Sequence, residues 1–497
     1  MGKKTLLAIV VLIAGFFLYE PVVDRFFTDT SLTVSEIEQR EAGDHEQVVL
    51  ETEQLAVRFS ADGGQIVSAR LKAFTGTDGQ PVELVSDLLK TRGGIEVQVP
   101  GVFENRGNPS YRIDQDDGQV RFTEELPGGV FFWKAYRTVG RFGLLFETGL
   151  ENRSSETIEF ASGIRIIPFY GIGTDDDGEA KKTRVAWAGR TEDGVQREKA
   201  KALREPMAVG EPVSWVGLQN RYFTQALVVK EPGERLTVSP LGGWQVYPSL
   251  DSSSFSLAPG ESREASFSLY LGPLIPEALE FHHPGLSGII DYGTFEPLGK
   301  GVLVVLRWLH RFVSNYGLCL ILLALVVRIL LFPLTQYNLK SLREMPMIAK
   351  EIYDIEEEEQ DDQAQTEARI RPLRKRQTQA MIGSFIPLAV QVPVFLALYQ
   401  VLHSSLELRQ AGFLWWINDL SLRDPLFLLP ALMGGAMILQ QRLTSVNPGD
   451  DKTWIWMPLG FALLFAFFPA GLVLFWLADT LFSVGQLSWI ARKEARA

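Results

Sequence analysis

One cysteine and five histidines are spread over 497 residues, and cations are outnumbered by anions, 48 to 60. The lone Cys319 lies inside an apolar run, so no disulfide framework exists. The lack of a cysteine near the N-terminus argues against a lipid-anchored form. His282 and His283 are adjacent and do not share a helix face, and the other histidines are scattered, so no metal site is expected. A net charge of −12 argues against nucleic acid as a partner, because phosphate binding needs a basic surface. The stretch from Gly293 to Lys300 imitates a phosphate loop, but its glycines are spaced wrongly and Gly301 replaces the hydroxyl residue such loops need. No hydrolase motif is present. Neither catalysis nor a cofactor is expected.

What is present is divided unevenly. Residues 26–281 are polar, glycine-rich and acidic, whereas 301–490 are dominated by long apolar runs. At the N-terminus, Lys3 and Lys4 precede an uncharged stretch from Thr5 to Tyr19. No small-residue cleavage site follows it, which favours an uncleaved signal anchor over a removed signal peptide. Retained in the cytoplasm, the two lysines send the next segment outward.

From about Phe27 to Leu271 the pattern is β. β-Branched and aromatic residues cluster at 157–169, 236–238 and 266–270. Turn signals separate the runs at Asp62-Gly63-Gly64, Asp78-Gly79, Pro127-Gly128-Gly129 and Pro259-Gly260. So many short strands predict a large β-sandwich. The acidic run Asp175-Asp176-Asp177-Gly178 lacks the later ligands of a calcium loop and reads as a surface loop.

Residues 297–313 change the period. Leu298, Val302, Val305, Leu309 and Phe312 recur at helical spacing, with Lys300, Arg307 and Arg311 opposite. A helix apolar on one side and basic on the other, beside membrane spans, is expected along the lipid surface; a core helix of the sandwich is the alternative. Apolar runs follow at 318–334, 381–402, 425–441 and 454–490. A single helix over the last run would be about 55 Å long against a hydrocarbon core of ~30 Å, so Pro469-Ala470-Gly471 marks a hairpin of two spans. Prolines 333, 387, 393, 430 and 458 are tolerable in packed membrane helices.

The fold expected is therefore a multi-domain membrane protein with six transmembrane α-helices and a large periplasmic β-sandwich. The anchor occupies 1–23, the sandwich 24–280, and a linker with the interfacial helix 281–314. Spans are expected at 315–336, 381–403, 425–441, 454–469 and 471–490. A cytoplasmic helical hairpin (337–380), a periplasmic loop (404–424), a cytoplasmic loop (442–453) and a cytoplasmic tail (491–497) join and end them. Lysines and arginines number eight in 337–380 and two in 404–424, as the positive-inside rule requires. The hairpin's first helix aligns Leu339, Leu342, Met345, Ile348, Ile352 and Ile355. Pro346 and Pro372 are expected to interrupt it, while Met345 and Met347 offer adaptable apolar contact.

Arg328 is the most informative residue. A mid-span cation costs about 2.5–3.5 kcal/mol on insertion scales, so it faces a partner or a hydrated cavity, or else snorkels to the surface. Asp479, Ser483 and Gln486 recur at helical spacing on the last span, and Ser384 and Gln391 on another. A depth match allows Asp479 to pair with Arg328; a protonated Asp479, or a polar helix contact with Ser483 and Gln486, is the alternative.

These residues resemble one family. The run Leu325-Val326-Val327-Arg328-Ile329-Leu330-Leu331-Phe332-Pro333 is similar to the arginine-bearing span of the YidC-type insertases of the YidC/Oxa/Alb family. Ile386-Pro387 through Leu398-Tyr399, Glu407 through Pro425, and Phe468-Pro469-Ala470-Gly471 match later segments. The large extracytoplasmic domain and six spans look like the Gram-negative form. The resemblance implies an inner-membrane insertase and chaperone for nascent membrane proteins, with a five-helix core around a groove hydrated by Arg328. Gln391, Asp479 and Ser483 fall in that groove, and Phe475 and Trp476 stand where relatives have aromatics that contact the client. The Sec translocon, the ribosome and the lipid bilayer are the implied partners. Two departures stand out: the hairpin is acidic at its tip, which weakens the case for ribosome contact, and residues 377–384 lack the usual Asn-Pro-containing turn. A solute transporter would show inverted repeats, which are absent. An anchored carbohydrate-binding or envelope-assembly protein would leave five spans idle.

Overall fold

The computed structural model describes residues 47–494, except 61–63, 77–78, 86–92, 101–110, 117, 174–185, 200–201, 231–233, 243–244, 292–295, 359–362 and 445–455. Some helical side chains, including those of 337–340, 342–343 and 383–388, also lie outside it. The expected anchor at 1–23, the acidic loop at 175–178 and the side chain of Ser384 therefore fall outside the described residues. Two compact units emerge, Met1–Asp291 and Tyr292–Ala497.

The first unit is β-rich. Its largest sheet has nine antiparallel strands in the spatial order Gly194–Lys199, Ala186–Thr191, Val213–Gln219, Phe223–Val229, Ser262–Pro273, Gly143–Asn152, Val130–Val139, Gln119–Leu126 and Arg112–Asp116. Tyr136 lies opposite Phe146, and Phe146 opposite Phe267, so alternate side chains build one aromatic ladder across three strands. A four-stranded sheet packs on that face through Phe59, whose ring centroid is 4.6 Å from that of Tyr136. A five-stranded sheet approaches through Leu236, which lies against Gly189, where a Cβ would clash. Of the turns read from sequence, Pro127-Gly128-Gly129 closes a hairpin as expected, whereas Pro259-Gly260 joins Phe255–Leu257 to Ser262–Pro273, which do not pair with each other. Asp62-Gly63 and Asp78 lie outside the described residues. Gly128 and Gly129 both adopt positive φ between Leu126 and Val130, a conformation glycine takes without strain.

The second unit is helical. Its elements are α1 (Glu296–His310), α2 (Tyr316–Leu330), α3 (Phe332–Glu358), α4 (Gln363–Ser404), α5 (Leu428–Thr444), α6 (Trp456–Phe465) and α7 (Ala470–Glu494). Several expected boundaries move. The expected fourth span, placed at 425–441, forms its helix over Leu428–Thr444, and Asp424 holds its start: its Oδ2 accepts from the Leu429 N–H at 2.7 Å. No helix break marks the expected boundary at 380/381. Residues from Gln363 to Ser404 form one 42-residue helix, consistent with the missing Asn-Pro turn. Nor does Pro346 or Pro372 interrupt the hairpin, since α3 and α4 run through both positions.

Among the described residues, only Ala470–Ile490 is a helix long and apolar enough to cross a membrane by itself. Tyr316–Leu330, Ala389–Leu402 and Trp456–Phe465 are apolar but shorter. The expected fifth span contains a helix of 10 residues, about 15 Å, half of a hydrocarbon core. The expected second span breaks at Leu331, where the backbone leaves helical geometry before α3 begins. Six full-length spans are thus more than the described helices supply.

Candidate functional site

α2 begins where Asn315 caps it, its Oδ1 accepting from the Leu318 N–H at 3.1 Å. α7 begins at the proline turn predicted from sequence, and Gly471 there lies so close to Leu402 and Leu320 that a Cβ would not fit. The close approach brings α2, α4 and α7 together. On α7, Phe475, Asp479, Ser483 and Gln486 stand at intervals of four, four and three, one helical stripe.

Arg328 of α2 meets that stripe. Its Nη1 lies 3.6 Å from Asp479 Oδ1, with side chains 16% and 10% exposed. The separation exceeds that of a charge-assisted hydrogen bond, so the contact is an ion pair not closed into one. Asp479 Oδ2 accepts from Gln391 Nε2 of α4 at 3.1 Å. One turn further, Gln440 Nε2 of α5 donates to Ser483 Oγ at 2.8 Å. Arg328 Nε and both amide atoms of Gln486 are buried without a hydrogen-bond partner. The structure thus gathers Arg328, Gln391, Asp479 and Ser483 of three helices, with Gln440 of a fourth, into one polar cluster. Gln440 joins them, although it is not among the residues singled out from sequence. A glutamine near the end of an otherwise apolar run was the available signal.

Trp476, half-buried, packs among buried aromatic rings. The Trp476 ring packs 5.4 Å from Phe395 and 5.3 Å from Phe465. Phe475, expected to line the groove, is only 1% exposed and is packed inside the unit. One anion, one cation, amides and hydroxyls can hold water or a polar stretch of polypeptide. They contain no nucleophile activated by a neighbouring base, and no cluster of three potential metal ligands occurs among the described residues.

The two outlying sites are only partly as expected. In α1 the apolar surface is wider than one stripe. Val302, Leu306 and Leu309 are buried, and Gly299 faces Ala397 and Val401 of α4, while Leu298, Val304, Trp308 and Phe312 are exposed. Val305 lies half-buried at the border. Arg307 is not free on a basic face: its Nε donates to Glu407 Oε1 at 2.8 Å. In the hairpin, Ile348 is a seam residue, buried with Ile355, Ile370 and Leu373 between α3 and α4, and is not available for contact. Met345 is half-buried, whereas Met347 is 72% exposed.

Comparison with known proteins decides the family. Residues 47–305 match the family described as the YidC periplasmic domain, and 308–497 match the 60Kd inner membrane protein family. The chain belongs to the YidC family. Its similarity to the membrane protein insertase YidC of Oleidesulfovibrio alaskensis is 30% identity over 96% of this chain and 91% of that one. The protein of the same name from Syntrophus aciditrophicus is 28% identical over 90% of this chain and 85% of its own length. A crystal structure described as an active YidC insertase aligns over 89% of this chain and 92% of its own, with 17% identity and a TM-score of 0.38. YidC proteins are named as insertases, a class that performs no chemical conversion, and the family places its members in the inner membrane with a periplasmic domain.

Proposed function

We propose that the chain inserts nascent inner-membrane proteins and helps them fold, through a hydrated groove in which Arg328 receives polar and acidic parts of the client. The reading rests on one observation: a buried guanidinium faces a carboxylate between otherwise apolar helices, with the buried amide of Gln486 left unsatisfied two turns further along α7. A lone cation there costs about 2.5–3.5 kcal/mol, and such a charge marks a path for polar groups through lipid. Unpartnered Arg328 Nε and Gln486 offer hydrogen bonds to water or to an extended peptide.

In this reading α1 lies at the periplasmic lipid surface, the α3–α4 hairpin is cytoplasmic and meets the client through Met347, and Trp476 contacts the passing helix. The β-rich domain faces the Sec translocon, and the acidic hairpin tip limits ribosome contact. The test is depletion of the chain in its own cell, followed by protease-protection assay of small one- and two-span proteins. Depletion should leave them uninserted, and re-expression should restore them. Normal insertion without the chain would overturn the reading.

A further inference from the structure

In the apolar stretches of α2, α4, α6 and α7, Arg328 and Asp479 are the only charged side chains. Their arrangement is unequal. Gln391 holds Asp479 through Oδ2 at 3.1 Å, whereas Arg328 stands 3.6 Å from Oδ1 and keeps its Nε without a partner. The carboxylate is therefore anchored by α4 as well as by its own helix, and Arg328 is the looser member of the pair.

We propose that Asp479 is a built-in substitute for a client carboxylate. It balances Arg328 while the groove is empty, and so sets how acidic a client segment must be to engage the cation. This inference rests on the groove reading above. An acidic client then exchanges one carboxylate for another at Arg328 and gains only the difference between them. A neutral client displaces nothing charged. When Arg328 turns to a client, Gln391 keeps Asp479 hydrogen-bonded, so the displaced anion is not left bare in an apolar setting. Asp479 is thus a specificity-determining residue acting through Arg328.

The experiment uses the full chain in proteoliposomes and measures photocrosslinked capture of two single-span clients. They differ only in Asp or Asn residues of the translocated tail. For Asp479→Asn the acidic-to-neutral capture ratio should rise on the order of three- to ten-fold, toward the lower end of the coupling found between contacting charges. In an Arg328→Ala background, adding Asp479→Asn should leave the ratio where Arg328→Ala alone puts it. Asp479→Glu, which keeps the charge, should leave the ratio near that of the unmodified chain and controls for folding. An unchanged ratio in a folded Asp479→Asn chain, or the same rise with and without Arg328, would overturn the proposal. If Arg328→Ala alone leaves the ratio untouched, it is the groove reading that fails.

Discussion

Arg307 on α1 grips Glu407, a hundred residues later in the chain, in the loop that follows α4. Ser405 Oγ donates to the other carboxylate oxygen at 2.5 Å, so both oxygens of Glu407 are engaged. Burial alone would raise this carboxyl's pKa, but the hydrogen bonds from Ser405 and Arg307 outweigh it and hold it below the usual carboxylate range. The pair ties α1 to the loop that follows α4.

Arg307→Ala should loosen α1, at a cost of about 1 kcal/mol given that both side chains are partly solvated. Because the folded carboxyl titrates low, its contribution is fully present above the ordinary carboxylate pKa and is lost as pH falls through the lowered one. Thermal melts of detergent-solubilised protein should therefore separate Arg307→Ala from the unmodified chain at pH 7. The two should converge on strong acidification. Equal melting at pH 7 would show the pair to be idle.

The divided surface of α1 predicts two kinds of mutant. Leu309→Glu places a carboxylate against α2 and α4 and should lower the melting temperature, as buried-charge substitutions do. Trp308→Asp alters only exposed apolar surface. It should leave melting in detergent nearly unchanged while reducing insertion activity in bilayers. Full activity of Trp308→Asp would mean that this side of α1 does not meet lipid.

The hairpin divides in the same way. Ile348→Ala opens the seam with Ile355, Ile370 and Leu373 and should cost about 2 kcal/mol, read as faster hydrogen exchange across α3 and the start of α4. Met347→Ser removes an exposed contact and should lower client crosslinking without changing exchange. Faster exchange in both variants would erase the distinction between seam and surface.

In the β-rich unit Lys134 is fully buried. Its Nζ donates to Ile95 O at 3.0 Å and lies 5.7 Å from the Tyr111 ring centroid. Burial lowers its pKa to about 7, against a smaller opposing pull from Glu96. The unfolded lysine holds its proton up to its ordinary 10.5 while the folded one has released it, so this group's effect on stability improves as pH rises from about 7 to 10.5. Exchange protection of the strand Val130–Val139, corrected for intrinsic rates, should rise between pH 7 and 9 in the unmodified chain. The rise should be absent in Lys134→Met. Parallel pH profiles would refute the assignment.

How much of this was legible beforehand depends on range. Hairpin turns such as Pro127-Gly128-Gly129 and the Pro469-Ala470-Gly471 break are local, and their residues force the backbone geometry directly. Arg328 and Asp479 stood out because charge in an apolar run is costly wherever it falls. What periodicity could not supply was the partner on another helix. Gln440 and Glu407 matter through groups 43 and 100 residues away. The same limit explains Ile348 and Phe475: a helical stripe shows that a face is apolar, not whether it is covered by its own hairpin, by the core or by a client.

The groove itself is tested most directly at Arg328. Purified full-length chain carrying Arg328→Lys or Arg328→Ala, reconstituted in proteoliposomes, is assayed for insertion of a single-span client with an acidic translocated tail. If the residue works as a charge, lysine should retain much of the insertion and alanine should lose most of it. Equal loss in both would assign the role to the shape of the guanidinium. Insertion by the alanine variant at the unmodified rate would contradict the groove altogether.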